Sequence, residues 1–286
     1  MPESGAAAGA MGVAVAQEAQ LPGGVFYRHW PPAAEARGVI LLAHGLGEHG
    51  GRYQAFANVV CARGYAVVAP DHIGHGQSPG HRAHIGTFSE YLDPLLQLRE
   101  LIGQWYPSLP CFLVGHSLGG LIAARLLLDA QARFSGAALS GPALAVAEPP
   151  PAPLLWINRI LARLWPTLGM LKLDASQVSR DPRVVADYEA DPLVHHGKVS
   201  ARLVAELFAT MRQVNARSGE IILPLLVMHG EADVMTAPAG SEAFCAGVGS
   251  QDVTLQVYPG LYHEIFNEPE RLQVLEHLAG WLQARS

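Results

Sequence analysis

A series of short, uninterrupted apolar runs, each too brief for a stable helix and closed by turn residues, constrains this fold more than any other feature. They occupy residues 38–43, 65–69, 111–114, 136–139, 225–228 and 253–258. A strand with one wet face alternates apolar with polar residues, whereas a run apolar at every position suits a strand buried on both faces. Helical patterns stand between these runs, over residues 52–63, 87–105, 118–130 and 269–285. Strand alternating with helix predicts a mostly parallel sheet covered by helices on both sides. Ahead of the first run, Leu21-Pro22-Gly23-Gly24 reads as a turn and residues 25–30 as a strand, half of a hairpin.

With 286 residues, half of them apolar and 15% charged, the chain has the composition of one large globular domain, with room for an insertion. The net charge of −6 comes with no basic run and no basic-aromatic stripe, so no nucleic-acid partner is expected. Cys61, Cys111 and Cys245 are odd in number and form no CxxC pair, which points away from a disulfide framework and toward a reducing, cytoplasmic setting. The Ala/Gly-rich start lacks a basic region and carries Glu3, so residues 1–20 read as a flexible tail rather than a leader. No run of about 18 apolar residues predicts a membrane span.

The rhythm breaks between residues 142 and 223, where no clear strand is expected. That stretch opens on the proline-rich Glu148-Pro149-Pro150-Pro151-Ala152-Pro153 and continues with helical patterns over residues 154–164 and 201–213. An insertion between two sheet strands, landing at their carboxyl ends, is a candidate lid. The expected division is therefore a core of residues 21–141 and 224–286 with a helical cap of residues 142–223.

Four motifs carry chemistry. Gly115-His116-Ser117-Leu118-Gly119 is a G-x-S-x-G between a strand and a helix, the context a nucleophile elbow requires, and it nominates Ser117. His44-Gly45-Leu46-Gly47-Glu48-His49 follows another strand, and the backbone N–H of Leu46, paired with that of Leu118, would form an oxyanion hole. The side chains of His44 and His49 read as makers of loop hydrogen bonds. His229-Gly230-Glu231-Ala232-Asp233 nominates Asp233, with Glu231 its rival, as the carboxylate behind a histidine. Tyr258-Pro259-Gly260-Leu261-Tyr262-His263-Glu264 presents His263 after the last strand. The chain order Ser117, Asp233, His263 is that of a serine hydrolase of the α/β type. Such a triad needs no metal or cofactor. His72, His75, His81 and His84 lack a fixed helical register and read as structural rather than as metal ligands.

Together with Gly50-Gly51-Arg52-Tyr53, Asp71-His72-Ile73-Gly74-His75-Gly76-Gln77-Ser78, Ser140-Gly141-Pro142 and Tyr188-Glu189-Ala190-Asp191-Pro192-Leu193, these motifs resemble those of monoacylglycerol lipases, in the lysophospholipase-like branch of the α/β-hydrolases. The resemblance runs over about the whole chain beyond Leu21. It implies an α/β-hydrolase fold with an eight-stranded, mostly parallel sheet and a helical cap. It also implies cofactor-independent hydrolysis of monoacylglycerols. By the same resemblance Leu46 and Leu118 match the oxyanion positions, and Tyr188 matches a cap residue near the pocket. Glu48 and Arg52 match a polar corner that can hold a glycerol headgroup, with a loop-stabilising ion pair as the alternative. The sequence departs at Glu264-Ile265-Phe266, where mammalian members carry a second histidine.

Leu154, Leu155, Trp156, Ile157, Ile160, Leu161, Leu164 and Trp165 cover most of one cap helix, with Arg159 and Arg163 as a basic edge. Such a helix can pack on the core, line an acyl tunnel or touch a lipid surface; core or tunnel packing is the expectation, because apolar faces usually face protein. The expected activity is hydrolysis of a single-chain lipid ester by water. The alternatives are a lysophospholipase, a thioesterase, a general carboxylesterase or a non-catalytic hydrolase-fold binder. The sequence leaves the oligomeric state open.

Overall fold

In the computed structural model, which describes residues 13–286 other than Ala33 and Pro149, the apolar runs are strands; the first five are buried at every position, while the last, over residues 253–258, is mostly half-buried with Thr254 exposed. The strands are β1 (Gln17–Gln20), β2 (Phe26–Trp30), β3 (Gly38–Ala43), β4 (Tyr65–Pro70), β5 (Cys111–His116), β6 (Gly136–Ser140), β7 (Gly169–Leu171), β8 (Val199–Ser200), β9 (Leu225–Gly230) and β10 (Val253–Tyr258). The helices are α1 (Gln54–Cys61), α2 (Ser89–Trp105), α3 (Leu118–Ala130), α4 (Ala152–Leu164), α5 (Pro182–Ala190), α6 (Ala201–Arg217), α7 (Pro238–Gly247) and α8 (Arg271–Gln283).

Eight strands form one sheet in the order β1-β2-β4-β3-β5-β6-β9-β10. β2 runs antiparallel to both neighbours, and the other pairs are parallel. Strand β3 shows why its run has no polar position. Val39, Leu41 and Ala43 enter one core with Leu95, Leu121 and Leu207 of α2, α3 and α6. Ile40 and Leu42 point the other way, to Phe56 of α1 and Leu275 of α8. Period-two alternation thus divides one apolar strand between two cores.

Residues 17–20 lie in the stretch assigned to the tail, yet they pair with β2 along the sheet edge. Just before them Ala14 and Ala16 pack on the core while Val13 and Val15 face solvent. Small residues at alternate positions let the chain lie flat against α1, a signal that composition hides. The part of the tail before residue 13 lies outside the described residues.

Between β6 and β9 the chain forms α4, α5 and α6, with β7 and β8 as a two-stranded antiparallel pair that the sequence did not announce. Asp181 and Ser200 cap α5 and α6 by accepting the N–H groups of Arg183 and Leu203. The packing expected of α4 is met only in part: Leu154 and Leu155 line a cavity, but most of the apolar stripe does not meet protein. Trp156, Leu164 and Trp165 are about 60% exposed, and Leu154, Ile157 and Ile160 are also open to solvent. Asn158 and Ala162, four residues apart, are its buried positions, and Asn158 Nδ2 donates to the Ala201 carbonyl at the start of α6. A polar and a small residue on one stripe let α4 approach α6 closely, which leaves the apolar stripe outside.

Candidate active site

The sheet places two loops side by side. From β3 the chain crosses to β4 on one side and then returns to β5 on the other, so the carboxyl ends of β3 and β5 flank the point where strand order reverses. Open α/β sheets hold their ligands in that crevice. Ala43 and Gly115 are register partners, which sets His44-Gly45-Leu46 beside His116-Ser117-Leu118.

Ser117 sits between β5 and α3 with φ +53° and ψ −116°. A side chain at positive φ is strained, by about 1–3 kcal/mol, and persists only where its surroundings hold it. Here the Ser117 N–H donates to the Ser140 carbonyl at 2.9 Å, and the Ser117 carbonyl accepts from Ala143 at 2.9 Å. The flanking glycines let the helix press onto the sheet. A Cβ at Gly115 would stand 2.2 Å from the Gly119 carbonyl oxygen, and one at Gly119 would stand 2.0 Å from that of Ala43.

Asp233 and His263, both buried, meet at 2.7 Å through Oδ2 and Nδ1. A carboxylate only accepts, so the ring's proton is on Nδ1 and Nε2 is left for another partner. His229 Nε2 at 3.1 Å and Thr236 Oγ1 at 2.8 Å also reach Asp233 Oδ2, while the N–H groups of Met235 and Thr236 donate to Oδ1. Burial opposes the Asp233 charge, yet His263 and the donors around it hold its carboxyl well below the usual carboxylate range. Burial likewise opposes a charge on His263, but Asp233, with Glu264 and Glu48 nearby, raises its pKa above the ordinary value. The His116 ring lies 4.8 Å from that of His263, and burial keeps it neutral, with a pKa of about 3.

Ser117 and His263 line one cavity of about 110 Å3, together with Leu46, Leu118, Glu48 and Tyr188. Leu118 opens α3, so its N–H has no acceptor within the helix. Among the described residues neither that N–H nor the one of Leu46 donates to another backbone group. A second cavity of about 660 Å3 shares Val146, Leu171, Leu173 and Met235 with the first and extends to Leu154, Leu155 and Phe208.

The polar wall is built around Arg52. It donates to Glu48 at 2.8 Å and to both oxygens of Glu264 at 2.6 and 2.8 Å, and its guanidinium lies 4.7 Å from the centre of the Tyr188 ring. Glu48 also accepts the Gly45 N–H at 2.6 Å and the Tyr53 hydroxyl at 2.7 Å. Although burial opposes its charge, Arg52 draws the Glu264 pKa well down.

Residues 34–270 match the family described as serine aminopeptidase, S33. A monoacylglycerol lipase of Mycolicibacterium smegmatis is 41% identical over 90% of this chain and 92% of its own length. The monoglyceride lipase of Rattus norvegicus is 33% identical over 91% of this chain and 87% of its own. The crystal structure of Paleococcus ferrophilus monoacylglycerol lipase superposes with a TM-score of 0.84 at 32% identity, covering 92% of this chain and 99% of that one. The chain belongs to the monoacylglycerol lipase branch of the α/β-hydrolases. It is a serine hydrolase.

In this α/β-hydrolase the residues nominated from sequence gather at one place. Ser117, His263, Leu46, Leu118, Glu48 and Tyr188 share the small cavity, and Asp233 stands behind His263. Arg52 is set one layer back, its guanidinium divided between two carboxylates. Glu231, the rival carboxylate, is exposed and accepts the Gly260 N–H, and among the described residues it makes no hydrogen bond to His263. Sequence reasoning missed His229, Thr236 and Glu264. His229 opened the quoted motif four residues before Asp233, while Glu264 stood out only as a departure from the mammalian pattern.

Proposed function

We propose that this enzyme hydrolyses monoacylglycerols or similar single-chain lipid esters through Ser117, His263 and Asp233. The observation that carries the reading is the Asp233-bound imidazole facing the same cavity as Ser117, which opens toward a larger apolar space. His263 takes the Ser117 proton as the hydroxyl attacks the ester carbonyl, and then protonates the departing alcohol. The Leu46 and Leu118 amides stabilise the tetrahedral oxyanion, and each such donor contributes roughly 3–4 kcal/mol to lowering the barrier. Water, activated by the same imidazole, releases the acyl group.

Residues 142–223 act as the cap in this reading, and residues 21–141 and 224–286 as the core. The larger cavity takes the acyl chain, since Leu154, Leu155, Phe208 and Met235 line it. A peptidase that recognises a free amino terminus needs an available carboxylate. Glu48 and Glu264 are instead engaged by Arg52, which favours an uncharged headgroup. The exposed Trp156, Leu164 and Trp165, beside Arg159 and Arg163, suit contact with a lipid surface from which a monoester can enter.

Turnover of a monoacylglycerol, a lysophospholipid, a short p-nitrophenyl ester and an aminoacyl p-nitroanilide by wild type and Ser117→Ala tests the reading. The monoacylglycerol is expected to be the preferred substrate. Ser117→Ala is expected to lower its turnover by about 10⁵-fold or more. Undiminished turnover by that variant, or preference for the anilide, would end the proposal.

A further inference from the structure

Gly45 is tethered on both sides. Its N–H donates to Glu48 Oε1 at 2.6 Å, and its carbonyl oxygen lies 2.8 Å from Nδ1 of His44. The position of the His44 proton follows from its other nitrogen. Nε2 accepts the backbone N–H of His72 at 2.8 Å, so it carries no hydrogen. The ring is fully buried against His72 and His75, which keeps it neutral. A neutral imidazole with a bare Nε2 holds its hydrogen on Nδ1, and that N–H donates to the Gly45 carbonyl.

The Gly45 carbonyl and the Leu46 N–H belong to one planar trans peptide group and point in opposite directions. Holding the oxygen therefore aims the hydrogen. The constraint matters because Gly45 has no side chain to restrict its own torsions. A Cβ there would stand 2.9 Å from Glu48 Oε1, the oxygen that holds the Gly45 N–H, and 3.3 Å from the Ser117 Cβ, so a stiffer residue would displace the groups that define the site. We propose that His44 is a positioning residue: its Nδ1–H fixes the Gly45–Leu46 peptide plane and so directs the Leu46 amide at the oxygen that becomes negative when Ser117 attacks. The chain of contacts runs from the His72 amide through the His44 ring to the oxyanion site. This inference rests on the reading of the Leu46 amide as an oxyanion donor.

Three variants separate the two ends of the ring. His44→Asn keeps a donor where Nδ1 stands. His44→Gln keeps a polar group where Nε2 stands and offers nothing to Gly45, and His44→Ala keeps neither. The readouts are kcat and KM on a monoacylglycerol, and affinity for an alkyl trifluoromethyl ketone, whose adduct with serine places an oxyanion in the site. His44→Gln and His44→Ala are expected to lower kcat by about 100-fold with KM within about twofold, and to weaken the ketone by a similar factor. His44→Asn is expected to recover most of that loss. Wild-type kcat in a folded His44→Gln, or a folded His44→Asn as impaired as His44→Ala, would overturn the proposal. A measurement on the unaltered enzyme guards against misfolded variants: nitrogen NMR of the His44 ring is expected to find the proton on Nδ1, and finding it on Nε2 would overturn the proposal. Undiminished turnover by Ser117→Ala would remove it together with the reading beneath it, whatever the tautomer of His44.

Discussion

Asp233 holds one proton of His263 on Nδ1, and the proposed mechanism requires the other nitrogen to be bare so that the imidazole can accept a proton from Ser117. Because the carboxylates around it raise the His263 pKa above 6.5, the enzyme should gain activity as pH rises through a midpoint higher than that value. The acid limb of kcat/KM for a short soluble ester measures it; a midpoint at or below 6.5 would contradict the arrangement. The sign for stability is opposite. A histidine whose pKa is raised on folding contributes stability below its unfolded pKa and loses that contribution as pH rises through the folded value. The proton whose departure the proposed mechanism requires is thus one that favours the fold. At this scale the sequence was informative wherever function demands a fixed spacing, as in Gly115-His116-Ser117-Leu118-Gly119. It was silent on His229 and Thr236, because their contacts with Asp233 depend on how one loop curls after β9.

Among the elements, β3, α3 and β10 have the bounds that their apolar runs suggested. In β3 burial is continuous, which leaves few residues at which that strand could end elsewhere. β1, β7 and β8 were illegible because four, three and two residues are too few for a period to show, and β1 is exposed at every position while β8 is buried at both. α4 misled for a different reason. A helix apolar on nearly every side does not declare which stripe meets protein, and here the choice fell to Asn158 and Ala162. Replacing Trp156 and Trp165 together by serine should weaken binding to vesicles containing anionic lipid by about tenfold or more, since each removes a large amphipathic ring from the interface. Hydrolysis of a short p-nitrophenyl ester in free solution should stay within about twofold, because neither side chain lines either cavity. Vesicle co-sedimentation and the soluble assay check both halves, and unaltered vesicle binding would count against α4 as the docking surface.

Over the whole molecule, the buried imidazoles set the acid limit. Burial lowers His44, and it brings His72, His75 and His116 to about 3, 4 and 3. Below pH 6.5 the unfolded chain protonates these rings while the folded one does not, so stability falls with pH until those folded values are reached. Each ring contributes on the order of 1 kcal/mol per pH unit. His72 Nε2, His75 Nε2 and the Tyr91 hydroxyl are buried without a partner among the described residues, so a proton arriving on either ring nitrogen finds no hydrogen-bond acceptor. Urea unfolding should show several kcal/mol less stability at pH 5 than at pH 7; equal values would mean that the cluster titrates as if solvated. Arg52 has a reach of the same order. It joins Glu48 on the loop after β3 to Glu264, which lies 212 residues beyond Arg52 itself, and rests against Tyr188 from the segment between β6 and β9. Anyone exchanging residues 142–223 for a different segment would have to restore an aromatic neighbour for that cation, or the graft would leave a half-dressed guanidinium beside the cavity that Ser117 lines.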